Sequence, residues 1–105
     1  MTMHLTDQDF QAALTQHDTV LVDFYADWCG PCRILAPTIE ELAKEYEGRA
    51  LVAKVDIDQN PDSAQRLGVM AVPTVVVFRN GKEVARYVGA QPKGVLKKAL
   101  ESSSP

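Results

Sequence analysis

The sequence predicts an α/β protein in which a central mixed sheet of four to five strands carries helices on both faces. Apolar β-branched runs alternate along the chain with segments of helical periodicity, which is typical of parallel strands joined by helical crossovers. The pair Asn80-Gly81 between two later apolar runs indicates a β-hairpin, which adds antiparallel pairing to the sheet. The length of 105 residues is that of one domain, so we expect a single domain over 1–105, with 102–105 as a flexible tail.

The composition excludes several classes of protein. With 46% hydrophobic and 24% charged residues, the chain has enough apolar material to fold. No apolar run approaches the roughly 18 residues that a membrane-spanning helix needs. A net charge of −3 without basic clusters argues against nucleic acid or a membrane surface as a partner. The first residues lack the pattern of a signal peptide, so we expect a cytoplasmic protein.

The first elements follow from local patterns. Residues 5–14 are predicted to form a helix, with Thr6 as its N-cap and Asp9 in the acidic position of a capping box. The run 20–26 is short, β-branched and aromatic, which predicts a strand buried on both faces. Asp23 is the residue that interrupts this run.

A long helix is predicted from the Trp28–Cys32 segment to about residue 47, with Gly48 as its C-cap. Its apolar positions, among them Ile34, recur at helical spacing. Pro37 lies inside the helix and predicts a kink, because proline removes a backbone hydrogen bond.

The remaining predicted elements are a strand over 51–57, a short helix over 60–67, strands over 72–78 and 84–88, a helix over 93–100 and a short extra strand near 3–5. Asn60 is predicted to cap the short helix, with Pro61 in its first turn and Gly68 at its end.

The motif Cys29-Gly30-Pro31-Cys32 directly follows a predicted buried strand and opens a helix. Free N–H groups and the positive dipole end at a helix N-terminus stabilise a thiolate, so we expect Cys29 to be reactive near neutral pH. Cys32 lies one turn further, where its sulfur can meet that of Cys29, and Pro31 suits a first helical turn. This arrangement favours thiol–disulfide exchange through a mixed disulfide.

Two other interpretations of the cysteine pair stay open. Half of a zinc site is one, but zinc needs four ligands, and neither His4 nor His17 stands at ligand spacing, so we expect no metal. A structural disulfide is the other, but it would close a very small loop and would be reduced in the cytosol.

Four motifs carry a resemblance to a known family: Trp28-Cys29-Gly30-Pro31-Cys32, Asp23-Phe24-Tyr25-Ala26, Val72-Pro73-Thr74 and Val88-Gly89-Ala90. In this order and at these separations they resemble the thioredoxin family over essentially the whole chain. The resemblance implies the thioredoxin fold and the reduction of protein disulfides by a reversible Cys29–Cys32 dithiol. It implies no bound cofactor, because a thioredoxin reductase supplies the electrons and holds FAD and NADPH; this chain has no glycine-rich dinucleotide motif.

The resemblance also implies roles for individual residues. Cys29 is expected to attack the client disulfide and Cys32 to resolve the mixed disulfide. Asp23 is expected to be a buried carboxyl that exchanges a proton with Cys32 through water, and Lys54 to lie near it. Taken alone, Asp23 would more often be an acid at an exposed sheet edge, because buried Asp is rare unless paired, and Lys54 would more often be a surface lysine.

A shallow apolar surface around the nucleophile is implied as the site for client proteins. Its expected members are Trp28, Gly30, Pro31, Met70, Ala71, Val72, Pro73, Gly89 and Ala90. The bond before Pro73 is expected to be cis, and the Val72 backbone to pair with an extended client segment. Asp58 is expected either to bond the Trp28 indole or to be a solvated turn residue.

The sequence departs from the family pattern at Tyr25, where many thioredoxins have tryptophan, and at Ala71, where many have glycine.

Two rival functions remain at this point. One is a disulfide-forming or isomerising module of the same fold, which would need an oxidising compartment. The other is a non-enzymatic interaction subunit that uses the apolar surface alone. We expect a monomeric reductase with protein clients.

Overall fold

The computed structural model describes residues 2–102, so the predicted tail beyond Ser102 lies outside the described residues. Within that range the elements are β1 (Met3–His4), α1 (Phe10–Gln16), β2 (Thr19–Tyr25), α2 (Gly30–Glu45), β3 (Leu51–Asp56), α3 (Pro61–Arg66), β4 (Thr74–Arg79), β5 (Lys82–Val88) and α4 (Lys93–Glu101). Every predicted element is present, the short extra strand included.

The five strands form one mixed sheet in the order β1-β3-β2-β4-β5. Strand β3 runs parallel to both β1 and β2, whereas β4 runs antiparallel to β2 and to β5. The central strand β2 is buried along almost its whole length, as its continuous apolar run predicts. The motif that follows β2 therefore emerges from the middle of the sheet.

Each face of the sheet packs against two helices, which confirms the predicted fold class. On one face, Val22 and Phe24 of β2 pack with Phe10 of α1 and Ala64 of α3. On the other face, Leu21 belongs to a second core cluster, which α2 and α4 complete with Leu35, Ile39, Leu42, Tyr46, Leu96 and Leu100. Successive strand residues point to opposite faces, so Asp23 shares the face of Leu21, under α2 and α4.

The hairpin between β4 and β5 confirms the type I′ turn predicted from Asn80-Gly81. Asn80 has φ 52° and Gly81 has φ 81°, and Arg79 pairs directly with Lys82 across the turn. Strand β5 begins at Lys82, two residues earlier than predicted, because a two-residue turn lets pairing resume at once. Strand β5 is mostly exposed and begins with charged residues, so the apolar pattern in the sequence predicted only the part from residue 84 onward.

Helix α1 begins at Phe10, and the predictions of a start at residue 5 and of Thr6 as N-cap are wrong. Asp9 occupies the N-cap position, and its side chain turns back to accept a hydrogen bond from the Thr6 N–H at 2.7 Å. The Asp9 N–H donates to the Thr6 carbonyl at 3.2 Å, which closes a turn before the helix. The half of the predicted capping box in which Asp9 accepts the Thr6 N–H is thus present, but it lies in a turn that precedes the helix.

Helix α3 is capped by a residue far away in the sequence, and the predicted capping by Asn60 is wrong. Asn60 stands at the N-cap position, but its side-chain oxygen accepts the Asp7 N–H at 3.1 Å. The Asp7 carboxylate accepts from the backbone N–H groups of Asp62 and Ser63, at 3.1 and 2.9 Å, and from the Ser63 hydroxyl at 2.7 Å. Desolvation opposes the effect, but these hydrogen bonds from Ser63 and Asp62 keep the pKa of Asp7 below its ordinary value.

Helix α2 differs from its prediction at two points. It ends at Glu45, with Tyr46 at the C-cap position, before the predicted Gly48, which has φ 82°. Ile34, assigned from the periodicity to the apolar face, is 75% exposed. The periodic pattern is correct for the buried residues, but Ile34 lies on the exposed side of the helix with Pro37 and Glu41, three and seven residues later. Pro37 lies inside the helix, and the kink stays a prediction.

Candidate active site

The two cysteines are joined by a disulfide at the N-terminus of α2. Cys29 is the N-cap residue, and its sulfur accepts a hydrogen bond from the Cys32 N–H at 3.2 Å. Pro31 stands in the first turn, where a missing N–H costs nothing. The helix is 16 residues long, so its dipole and its unpaired first N–H groups favour negative charge on the Cys29 sulfur. This environment stabilises the thiolate that thiol–disulfide exchange requires.

Both cysteines are 4% exposed, so burial alone does not distinguish them. Their immediate contacts differ, because the Cys29 sulfur lies 3.6 Å from the carbonyl oxygen of Val72. Val72 packs against the cysteine cluster together with Tyr25 and Ile57. Of the two sulfurs, that of Cys29 is therefore the one next to the backbone of the Val72 segment.

The segment beside Cys29 is a fixed loop that leads into β4. The Val72–Pro73 bond is cis, as the resemblance implies. The Thr74 hydroxyl donates to the Ala71 carbonyl at 2.6 Å, and the Gly89 N–H donates to the Pro73 carbonyl at 2.8 Å. These hydrogen bonds tie the loop to the start of β4 and to the end of β5.

Large apolar side chains are exposed on the loops near the disulfide. Trp28 is 67% exposed, and its indole N–H donates to Asp58 at 2.8 Å. Of the two expectations for Asp58, the bond to the Trp28 indole is therefore confirmed. Met70 is 95% exposed. A large side chain that remains in water and also has a fixed orientation suits contact with a partner.

The other predicted surface residues occupy positions consistent with this arrangement. Pro31, Ala71 and Ala90 are exposed, Gly30, Val72 and Gly89 are half-buried, and Pro73 is buried. Sequence reasoning missed Ile57, whose N–H donates to the Tyr25 carbonyl at 3.0 Å and whose side chain packs on the cysteine cluster. The position of Ile57 directly after β3 could have indicated this contact. Strand β3 is parallel to β2, and neighbouring parallel strands end at the same edge of a sheet.

Asp23 is a fully buried acid at the centre of the sheet. It is 0% exposed, and among residues 2–102 neither of its carboxyl oxygens has a hydrogen-bond partner. Desolvation raises the pKa of Asp23 to about 7 from an ordinary 3.8, and the Lys54 ammonium opposes part of that rise. The exposed-edge interpretation of Asp23 is therefore wrong. Lys54 is its direct partner in the register of β2 and β3 and is half-buried.

A sheet of this topology with a disulfide at the start of the helix after its central strand defines a thiol–disulfide oxidoreductase. The thioredoxin family model matches residues 1–102. Thioredoxin 2 of Chlorobaculum tepidum is 50% identical over 97 residues, which cover 91% of this chain and 89% of that protein. The thioredoxin of Alicyclobacillus acidocaldarius is 44% identical over 99 residues, 94% of each chain.

A solved structure gives the same result. A mutant thioredoxin from Halobacterium salinarum NRC-1 superimposes with a TM-score of 0.90 at 40% identity, covering 99% of this chain and 91% of that one. The chain belongs to the thioredoxin family, and with its Cys29–Cys32 disulfide it is a protein-disulfide reductase.

Among residues 2–102, no three His, Cys, Asp or Glu side chains come together as a set of metal ligands. None of the helices in that range has the length and apolar character needed to cross a membrane.

Proposed function

We propose that Cys29 is the attacking nucleophile and that Cys32 resolves the intermediate. The observation that carries this assignment is the contact of the Cys29 sulfur with the Val72 carbonyl, at 3.6 Å, beside a loop that can receive an extended client segment. The Cys29 thiolate attacks one sulfur of the client disulfide, that S–S bond breaks, and one client thiolate leaves. The Cys32 thiolate then attacks the Cys29 sulfur, the mixed disulfide breaks, and the second client thiolate leaves.

The cycle passes two electrons from the Cys29–Cys32 dithiol to the client disulfide, and the two released client thiolates take their protons from solvent. We propose that Asp23 accepts the Cys32 proton through water as that thiol becomes nucleophilic, and returns it when the dithiol is restored. A buried carboxyl with a pKa of about 7 suits this task, because it binds and releases protons near neutral pH. Lys54 lowers the proton affinity of Asp23 and is proposed as the second member of this acid–base pair.

We propose that client proteins dock on the apolar surface formed by Trp28, Gly30, Pro31, Met70, Ala71, Val72, Pro73, Gly89 and Ala90. The exposure of Trp28 and Met70 supports this assignment. The loop hydrogen bonds at Ala71 and Pro73 support a preformed surface, which reduces the entropy lost on binding. Family membership supports a thioredoxin reductase as the partner that returns electrons from NADPH, with FAD held by that enzyme.

We further propose that residues 1–105 form one thioredoxin domain that acts as a monomer in the cytoplasm, as an electron carrier that maintains redox homeostasis. The chemistry supports this location, because a reductase cycle needs a pool of reducing equivalents. A disulfide-forming role would need the opposite redox environment.

Turnover of a protein disulfide tests the proposed function. We expect the protein to accelerate the reduction of insulin disulfides both with dithiothreitol and with NADPH plus a bacterial thioredoxin reductase. The Cys29→Ser variant is the matched control and is expected to be inactive. No acceleration over dithiothreitol alone would contradict reductase activity, and a strongly oxidising reduction potential would favour the disulfide-forming alternative.

The proton-transfer role of Asp23 predicts a change in the rate profile. Asp23→Asn is expected to slow the resolving step on the order of 10-fold at pH 7 and to remove its inflection near that pH. Stopped-flow measurement of product release between pH 6 and 8.5 checks both expectations (roughly the range over which an acid with a pKa near 7 titrates). Asp62→Asn removes one exposed carboxylate on the other side of the sheet and is the control. An unchanged profile in Asp23→Asn would exclude this role.

A further inference from the structure

Three residues on neighbouring strands, one of them the buried acid Asp23, form a row across the sheet. In the register of β1, β3 and β2, His4 pairs with Lys54 and Lys54 pairs with Asp23. Paired residues of a sheet project from the same face, and Tyr25, two residues after Asp23, projects from that face too. His4, Lys54, Asp23 and Tyr25 therefore belong to one patch of the sheet surface.

The aromatic ring of Tyr25 is the centre of this patch. The Lys54 ammonium nitrogen lies 4.3 Å from the centroid of the Tyr25 ring, which is well within the range of a cation–π interaction. The Tyr25 hydroxyl lies 3.4 Å from Nδ1 of His4, and the two rings meet edge to face at 6.2 Å. Tyr25 also packs against the cluster of Ala26, Cys29 and Cys32. The ring is thus held between β1 and the redox centre.

Several charged groups surround the Lys54 side chain. Asp23 lies beside it on β2, and Glu40 of α2 interacts with it electrostatically. Desolvation, followed by the negative charges of Asp56, Asp27 and Asp23, raises the pKa of Tyr25, so its hydroxyl is neutral near pH 7. A lysine with a flexible four-carbon stem can turn toward Glu40 and solvent or toward Asp23.

We propose that Tyr25 is a positioning residue that holds the Lys54 ammonium beside Asp23 and thereby sets the proton affinity of that acid. This inference rests on the proposed role of Asp23 only for its consequence in the catalytic cycle. The ring supplies a fixed attractive face for the ammonium, and the ammonium in turn stabilises the Asp23 carboxylate. The cation–π contact with Lys54 needs only the aromatic face, so phenylalanine or tryptophan at this position is expected to hold the ammonium equally well.

The test is a direct NMR titration of the Asp23 side-chain carboxyl carbon in the oxidised full-length protein. In Tyr25→Leu we expect the pKa of Asp23 to rise by about 0.5, roughly a threefold gain in proton affinity, because Lys54 is released. In Tyr25→Phe and Tyr25→Trp we expect no rise. The Lys54 ε-methylene protons are expected to lose their upfield ring-current shift in Tyr25→Leu and to keep it in Tyr25→Phe.

The double variant separates positioning from burial. In a Lys54→Met background, Tyr25→Leu is expected to leave the pKa of Asp23 unchanged, because the ammonium it positions is gone. An equal rise in both backgrounds would overturn the proposal, and so would an unchanged pKa in Tyr25→Leu. If Tyr25→Leu does not fold, Tyr25→Met carries the same expectations, since its longer side chain fills more of the same volume.

The same experiment distinguishes failure of this inference from failure of the proposed Asp23 role. A raised Asp23 pKa with an unchanged resolving rate would contradict proton transfer by Asp23 and would support positioning by Tyr25. An unchanged pKa in Tyr25→Leu, with the rate profile of Asp23→Asn altered as expected, would contradict the positioning and support the proton transfer.

Discussion

Replacing Cys32 with serine is expected to stop the catalytic cycle at the mixed disulfide. The Cys32→Ser protein should accumulate in a covalent complex with its client through Cys29, and turnover should fall by at least about 10³-fold. Mass spectrometry of the complex after peptide digestion identifies the linked cysteine, and insulin reduction measures the loss of turnover.

The size of this effect follows from the geometry of the resolving step. The Cα atoms of Cys29 and Cys32 are 5.2 Å apart across a single helical turn. The resolving thiol therefore attacks within the same molecule, at an effective concentration far above that of any free thiol. A serine hydroxyl at position 32 cannot replace it, because an alcohol at neutral pH has almost no ionised form. Only slow attack by external thiols would then release the client.

The reciprocal variant is the matched control. Cys29→Ser keeps the other sulfur and the helix, yet it is expected neither to turn over nor to trap clients. A stable client complex through Cys32 in that variant would reverse the two roles. Rapid turnover by Cys32→Ser would show that external thiols resolve the intermediate and would contradict an internal resolving cysteine.

Local chemistry explains which parts of the fold were predictable. The Asn80-Gly81 turn and the buried run of β2 depend on residues adjacent in sequence, and both predictions are confirmed. The cap of α3 was not predictable, because it is made by Asp7, which lies 55 and 56 residues away in the sequence from the residues it caps. Asn60 stands at the N-cap position, but the Asp7 carboxylate accepts the N–H hydrogen bonds that an N-cap side chain would accept.

The residues of the site also divide into those that local sequence predicts and those that it does not. The cysteine motif after a strand identified the chemistry, and a charged residue in mid-strand identified Asp23 as unusual. The contact between Tyr25 and Lys54 depends on the register of two strands and on a side-chain direction, which no local pattern encodes. The exposure of Ile34 was likewise hidden, because helical periodicity does not say which apolar residue lies at the edge of the buried face.

Replacing Asp23 with asparagine is expected to stabilise the folded protein strongly above neutral pH. An unfolded chain releases this proton near pH 3.8, whereas the buried carboxyl holds it until about pH 7. Between these values the folded state binds the extra proton, so each increase in pH favours the unfolded chain. The wild-type free energy of unfolding therefore falls through this window because of Asp23 and levels off above it.

Asparagine has nearly the same shape as the protonated acid and no titration, so the variant lacks this loss. The difference between about 3.8 and about 7 corresponds to about 4 kcal/mol at pH 8. In a chain of this size that gain raises Tm on the order of 15 °C. Well below pH 3.8 the two proteins should be equally stable, since Asp23 is protonated in both states.

Denaturant unfolding of the oxidised proteins at pH 3.5, 5.5 and 8 measures the difference directly (these values lie below, within and above the expected window). Asp62→Asn, which neutralises an exposed acid, is expected to change stability little at any of the three. A gain of equal size at pH 3.5 and pH 8 would assign the effect to packing instead of ionisation. If the stability gain of Asp23→Asn grows with pH and its turnover is lower than that of the wild type, then the buried acid lowers stability but is needed for the resolving step.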